Sequence, residues 1–240
     1  MSYMVVCKEE VRDLLDFLRR PRRRPGVPAK GWSWLVRALG FTLATLFITV
    51  LLSAALYSVA KPLGIFPKLD FRHASLGFIL SVCLLVPLLE EAIFRWGLRS
   101  ATYTVFAGPI AITAYATRGE ANILVFLVAA IAILGVCLLW LHRNGGKLSP
   151  LQFSRRYLVN YPWIFWLYAV AFALMHVKNY RVSGIAGWSA VVLFQAPQFL
   201  GAVVLGYLRL RDGLRSSILL HCLQNSAAFY IVLLVNQLGA

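Results

Sequence analysis

Seven apolar runs, separated by short polar breaks, constrain this chain more than any other feature. They lie at about Leu35–Ala60, Ala74–Leu89, Ala101–Ala116, Ala121–Leu141, Leu158–Met175, Ile185–Tyr207 and Ile218–Leu238. Crossing roughly 30 Å of hydrocarbon takes about 20 helical residues. The first, fourth, sixth and seventh runs meet that length alone. The second, third and fifth need their polar-looking neighbours to complete a span. Because backbone polar groups in lipid must be satisfied within the segment, such runs fold as helices. The expected fold is therefore all-α: a polytopic transmembrane helical bundle of about seven spans, with six and eight as the bounds. With 60% of residues apolar and 14% charged, composition points the same way.

The charge balance, +15 from 24 Lys+Arg against 9 Asp+Glu, would suit a nucleic-acid binder if it formed one basic face. Instead the basic residues sit in the breaks between apolar runs, as in membrane proteins. No nucleic-acid partner is expected; the partner is the lipid bilayer. Eight Lys/Arg precede residue 35. If all seven runs span, most of the remaining basic residues fall on the same side, including Arg95, Arg99, Arg155, Arg156, Arg209, Arg211 and Arg215. This bias puts the N-terminus in the cytoplasm, and a prokaryotic plasma (inner) membrane is the expected location.

Two domains are expected: a basic tail over 1–34 and a membrane-embedded domain over 35–240. Within the tail, Val11, Leu14, Leu15 and Leu18 form a helical stripe that suits a short amphipathic helix on the membrane surface. Five arginines and Pro21, Pro25 and Pro28 then make an extended basic linker. The first apolar run is too long, and begins too late, for a cleaved signal peptide, so it reads as a retained anchor. The four cysteines show no disulfide or zinc spacing.

Charges within apolar spans are costly and usually functional. Glu90 and Glu91 stand side by side directly after an apolar run. Glu91 and Arg95 are four apart on a helix and can pair. Glu90 is left without an in-helix partner, and a desolvated carboxylate next to a like charge suits a general base. His176 closes a run one turn after Phe172, and His221 opens one, a turn before Asn225. Each has a plainer reading: interfacial charges for the glutamates, helix capping for His176, and interhelical hydrogen bonding for His221 and Asn225. At this composition Glu-Glu-x-x-x-Arg arises by chance roughly one time in a hundred.

Glu90-Glu91-x-x-x-Arg95, then Phe172-x-x-x-His176, then His221-x-x-x-Asn225, in that order on apolar helices, resembles the CAAX-protease and bacteriocin-processing (CPBP) family. The resemblance implies an intramembrane endopeptidase, glutamic in type and formerly classed as a metalloprotease. Glu90 would activate water, His176 assist it, His221 and Asn225 stabilise the oxyanion, and Glu91 with Arg95 brace the site. Phe172 would shape it. The expected substrate is a membrane-anchored protein cut near its hydrophobic segment, in a C-terminal tail or sorting segment. No cofactor is expected. Zinc competes, since two His and one Glu make a known ligand set, but the chain has no His-Glu-x-x-His. Two departures stand out. Family members usually carry glycine straight after the motif arginine, whereas this chain has Trp96-Gly97. The interval from Glu90 to His176 is also long and holds two extra apolar runs. Two rival readings are a non-catalytic scaffold or immunity-type relative and a proton-coupled transporter.

Hydropathy also poses a conflict. It sets Glu90 and His221 near one face of the membrane and His176 near the other. For the three to meet, a helix must be tilted, broken or longer than its apolar core, most readily in the short second or fifth run.

Overall fold

The computed structural model describes residues 3–23, 32–68, 74–117 and 150–238. The apolar run at 121–141, Glu120, His73 and His142 lie outside them. Among the described residues the helices are α1 (Tyr3–Arg19), α2 (Ser33–Ala60), α3 (Leu76–Arg95), α4 (Gly108–Thr117), α5 (Pro150–Val159), α6 (Tyr161–Met175), α7 (Gly184–Ala190), α8 (Ala196–Arg211) and α9 (Leu214–Leu238). Strands β1 (Ile65–Pro67) and β2 (Tyr180–Val182) form one small antiparallel ladder, Phe66 opposite Arg181. The fold is an all-α membrane bundle, as expected. Four of the described helical segments are long and apolar enough to cross a bilayer, or five if α5 and α6 together make one bent span.

Helix α8 is the centre of the bundle. It packs against α6, α9 and α2, and every residue from Gly201 to Leu208 is buried. Gly206 allows the closest approach: a Cβ there would stand 2.8 Å from Phe165 on α6. Helix α2 shows the pattern expected in lipid. Its small and hydroxyl residues Ala38, Thr42 and Thr45 face the protein, while Leu43, Phe47 and Leu51 face outward. The hydroxyl of Thr45 accepts a hydrogen bond from Gln224 on α9 at 2.7 Å, holding those two helices together.

Proline decides where the spans break. Pro162 and Pro197 sit in the first turns of α6 and α8, where a missing N–H costs nothing. Neither ring can continue a preceding helix, because it clashes with the carbonyl four residues back. The fifth apolar run is accordingly not one straight helix: α5 and α6 meet at Asn160 with a 65° bend. The 15 residues of α6 extend about 22 Å, against roughly 30 Å of hydrocarbon. A helix that starts at one face therefore ends, at His176, short of the other.

Helix α1 docks on the bundle rather than only lying beside it. Phe17 is buried, edge-on to Phe165 at 5.0 Å and tilted against Tyr207 at 5.5 Å. Leu14 and Leu18 pack alongside, while Val11 and Leu15 of the expected stripe are exposed. The docked face also carries Glu10 and Asp13. Glu10 pairs with Arg37 at 3.1 Å and with Arg211 at 2.6 Å. Asp13 pairs with Arg211 at 2.7 Å and accepts from the Tyr207 hydroxyl at 2.6 Å. Arg37 continues the network to Asp212 at 2.8 Å. Burial raises the Asp212 carboxyl above its ordinary pKa, and Arg37 opposes that shift.

Truncating Phe17 tests the docking. Phe17→Ala should lower the stability of the detergent-solubilised protein by about 3 kcal/mol and speed proteolysis between α1 and α2. An unchanged thermal midpoint would mean that α1 rests on the bundle without stabilising it.

Candidate active site

The site begins with a defect in α3. Pro87 has no N–H, and its ring crowds the carbonyl of Cys83 one turn earlier. The helix widens there into a π-turn over Ser81–Leu85, in which the Val86 N–H reaches back to Ser81 rather than to Val82. The Val82 carbonyl is thus released, and the Asn225 side-chain amide of α9 donates to it at 3.0 Å. A proline on one helix and an asparagine on another fix the α3–α9 packing in this way.

One turn beyond Pro87, α3 turns Glu90, Glu91 and Arg95 into the protein. They are 4%, 0% and 1% exposed. Glu91 Oε1 lies 3.5 Å from Arg95 Nε, the pairing expected from their spacing. The Arg95 guanidinium also stacks over the Phe172 ring at 4.7 Å, a contact that favours a cation out of water. From α9, His221 inserts between the two carboxylates. Its Nδ1 is 3.1 Å from Glu91 Oε1 and its Nε2 is 3.4 Å from Glu90 Oε2.

Glu90 has a second partner that sequence reading missed. The Tyr115 hydroxyl, from α4, donates to Glu90 Oε1. A tyrosine near the end of an apolar run reads as an interfacial anchor, so no sequence signal marked it.

Phe172 is the hinge of the arrangement. Its ring centroid lies 4.8 Å from that of His176 and 5.6 Å from that of His221, and edge-on to Phe94 at 5.3 Å. One aromatic ring therefore separates the two histidines. In the fifth run α6 is short and ends at His176, which is half-buried against Phe172. Glu90, five residues before the end of α3, and His221, seven residues past the start of α9, lie about 8 and 10 Å along their helices. His176 Nδ1 lies 2.8 Å from the Phe172 carbonyl. An imidazole nitrogen beside a carbonyl is the protonated one, so Nε2 is the nitrogen that can exchange a proton.

The structure thus gathers Glu90, Glu91, Arg95, His221 and Phe172 in direct contact, with the His176 ring tilted against Phe172. Asn225 lies one turn beyond His221 with one amide hydrogen committed to Val82. Among the described residues, no three His, Cys, Asp or Glu side chains are arranged to hold a metal ion.

Neither a curated protein sequence nor a solved structure matches the chain. A family model does: type II CAAX prenyl endopeptidase Rce1-like, over residues 72–227. The match covers more than half of the chain and takes in every motif residue from Glu90 to Asn225. The chain therefore belongs to the Rce1-like family of type II CAAX prenyl endopeptidases, a family of membrane peptidases.

Proposed function

We propose that this protein is a glutamic-type intramembrane endopeptidase that cuts a membrane-anchored protein, in a C-terminal tail or sorting segment. The observation that carries the reading is the buried contact of Glu90 with His221, one ring away from His176. Amide hydrolysis needs a base for the attacking water, donors for the oxyanion and a proton for the leaving amine. Glu90 takes a proton from water through Oε2. His176 Nε2 orients that water, then receives the proton from Glu90 and passes it to the departing nitrogen, which restores both groups. His221 and the second amide hydrogen of Asn225 stabilise the oxyanion, whose charge is felt strongly in a dry site. Glu91 and Arg95 hold His221 and brace α3; Phe172 spaces the two histidines. No step calls for a metal. A substrate already embedded in lipid reaches such a site without leaving the membrane. Prenylated tails, leader segments and sorting segments all share that property. The Lys/Arg bias supports a plasma-membrane protein with a cytoplasmic N-terminus.

The decisive assay uses the purified protein in detergent with tail peptides carrying a hydrophobic anchor. Glu90→Gln, His176→Ala and His221→Ala should each cut kcat by about 100-fold or more. Equal cleavage by wild type and all three variants would end the peptidase reading and leave the scaffold or transporter.

Chelation separates glutamic from metal-dependent chemistry. Activity should persist after incubation with 1,10-phenanthroline and dialysis. Loss of activity restored by zinc would overturn the glutamic assignment.

Glu91→Gln tests the bracing role. Leaving Arg95 buried without its counter-charge should cost about 3 kcal/mol, read as a lower thermal midpoint. A midpoint equal to that of wild type would remove Glu91 from that role.

A further inference from the structure

Glu90 presents two oxygens, and the structure treats them differently. Oε1 accepts the Tyr115 hydroxyl. Oε2 is buried, has no hydrogen bond, and faces His221 Nε2 at 3.4 Å. We propose that Tyr115 is a positioning residue for Glu90, anchoring Oε1 so that Oε2 is the oxygen offered to the reacting water. The inference rests on the peptidase reading of Glu90.

A glutamate carboxyl rotates easily about its last torsion, which is broad and roughly two-fold. Left alone, the two oxygens exchange places and neither holds an orientation. A phenol suits the anchoring task. A phenol donates one hydrogen bond and carries no positive charge, so it does not cancel the base's charge. A guanidinium in the same place would. In this protein the guanidinium is paired with Glu91, and the neutral donor with Glu90.

Tyr115 is itself held from two directions. Its ring stands edge-on to Phe94 at 6.2 Å, Phe94 meets Phe172 at 5.3 Å, and Phe172 meets His176 at 4.8 Å. A row of aromatic rings thus links the anchor of Glu90 to His176. The second hold is electrostatic. Lys178 donates to the carbonyl of Ala116, the residue after Tyr115, in the last turn of α4. A cation is favoured at a helix C-terminus. Lys178 belongs to the short turn His176–Asn179 that follows α6. The turn that carries His176 therefore also fixes the helix end that carries Tyr115, and the two sides of the site are placed together.

The test uses the full chain in detergent and an anchored tail peptide. Tyr115→Phe keeps the ring and removes only the donor, and should lower kcat by about 10- to 100-fold with KM unchanged. Lys178→Met should give a smaller loss of the same kind. In a Glu90→Asp background the shorter side chain draws the carboxylate away from Tyr115. Adding Tyr115→Phe there should cost less than about twofold, because the contact is already lost. An unchanged kcat, or the same fold-loss in both backgrounds, overturns the inference. A second readout does not need turnover: the infrared carboxyl band of Glu90, assigned by difference from Glu90→Gln, should shift in Tyr115→Phe. With an active wild type, an unmoved band overturns the inference alone. If the band shifts but wild type cleaves no peptide, the peptidase reading fails and the inference with it.

Discussion

Two adjacent carboxylates cannot be kept inside an apolar bundle unless their partners are brought in with them. The partners come from three directions. Arg95 is on the same helix, His221 arrives from α9, and Tyr115 arrives from α4. The charges thereby become a packing instruction. Helices α4 and α9 must lie on the Glu90–Glu91 face of α3 or the carboxylates lose their compensation. The Val82–Asn225 bond reinforces the same contact, since the π-turn offers a carbonyl that α9 must satisfy. Stability and site geometry are here one requirement: the groups that could run a hydrolysis are those that make burial of the glutamates tolerable.

The helix breaks have a second consequence: they leave His176 at a helix end, against Phe172 where α6 stops. The bend at Asn160 shortens the part of the run that enters the bundle, and Pro162 enforces it from within the first turn of α6. The backbone groups released at the end of α6 find partners locally. Lys68 N–H donates to Asn179 O at 2.8 Å, and β1 pairs with β2 next to it. The ladder lies near the surface: Ile65 is buried beneath it, whereas Phe66, Pro67, Lys68 and Arg181 are exposed.

How much of this the sequence carries depends on contrast. Glu90, Glu91, Arg95 and His221 stand out because polar groups are rare in apolar runs, and the structure joins them. Phe172 is an ordinary residue in such a run; only its spacing to His176 singles it out. Tyr115 has no contrast at all, since aromatic residues are common near span ends. Helix α1 is legible only in part, for the opposite reason. Its stripe of Val11, Leu14, Leu15 and Leu18 is visible, but the docked face centres on Phe17 and includes Glu10 and Asp13. Acidic residues look like a solvent face until Arg37 and Arg211, far away in the chain, are seen to meet them. The bend at Asn160 is marked by Pro162, yet its angle depends on the neighbours of α6.

The displaced glycine after the motif arginine has a geometric account. Past Arg95 the chain must turn sharply to lead into α4 while passing under α6. Gly97, not residue 96, makes the closest approach: a Cβ there would collide with the Tyr168 hydroxyl. Its carbonyl accepts hydrogen bonds from Thr104 at 2.7 Å and Tyr157 at 2.8 Å, and the next carbonyl, of Leu98, accepts from Tyr161 at 2.7 Å. Gly108 meets the same tyrosine from the other side. Tyr168 is thus seated between two glycines, one on each side of the turn. Position 96 points outward, and Trp96 is half exposed. What the turn demands is a residue without a side chain beneath α6, and a shift of one position along the chain still meets that demand.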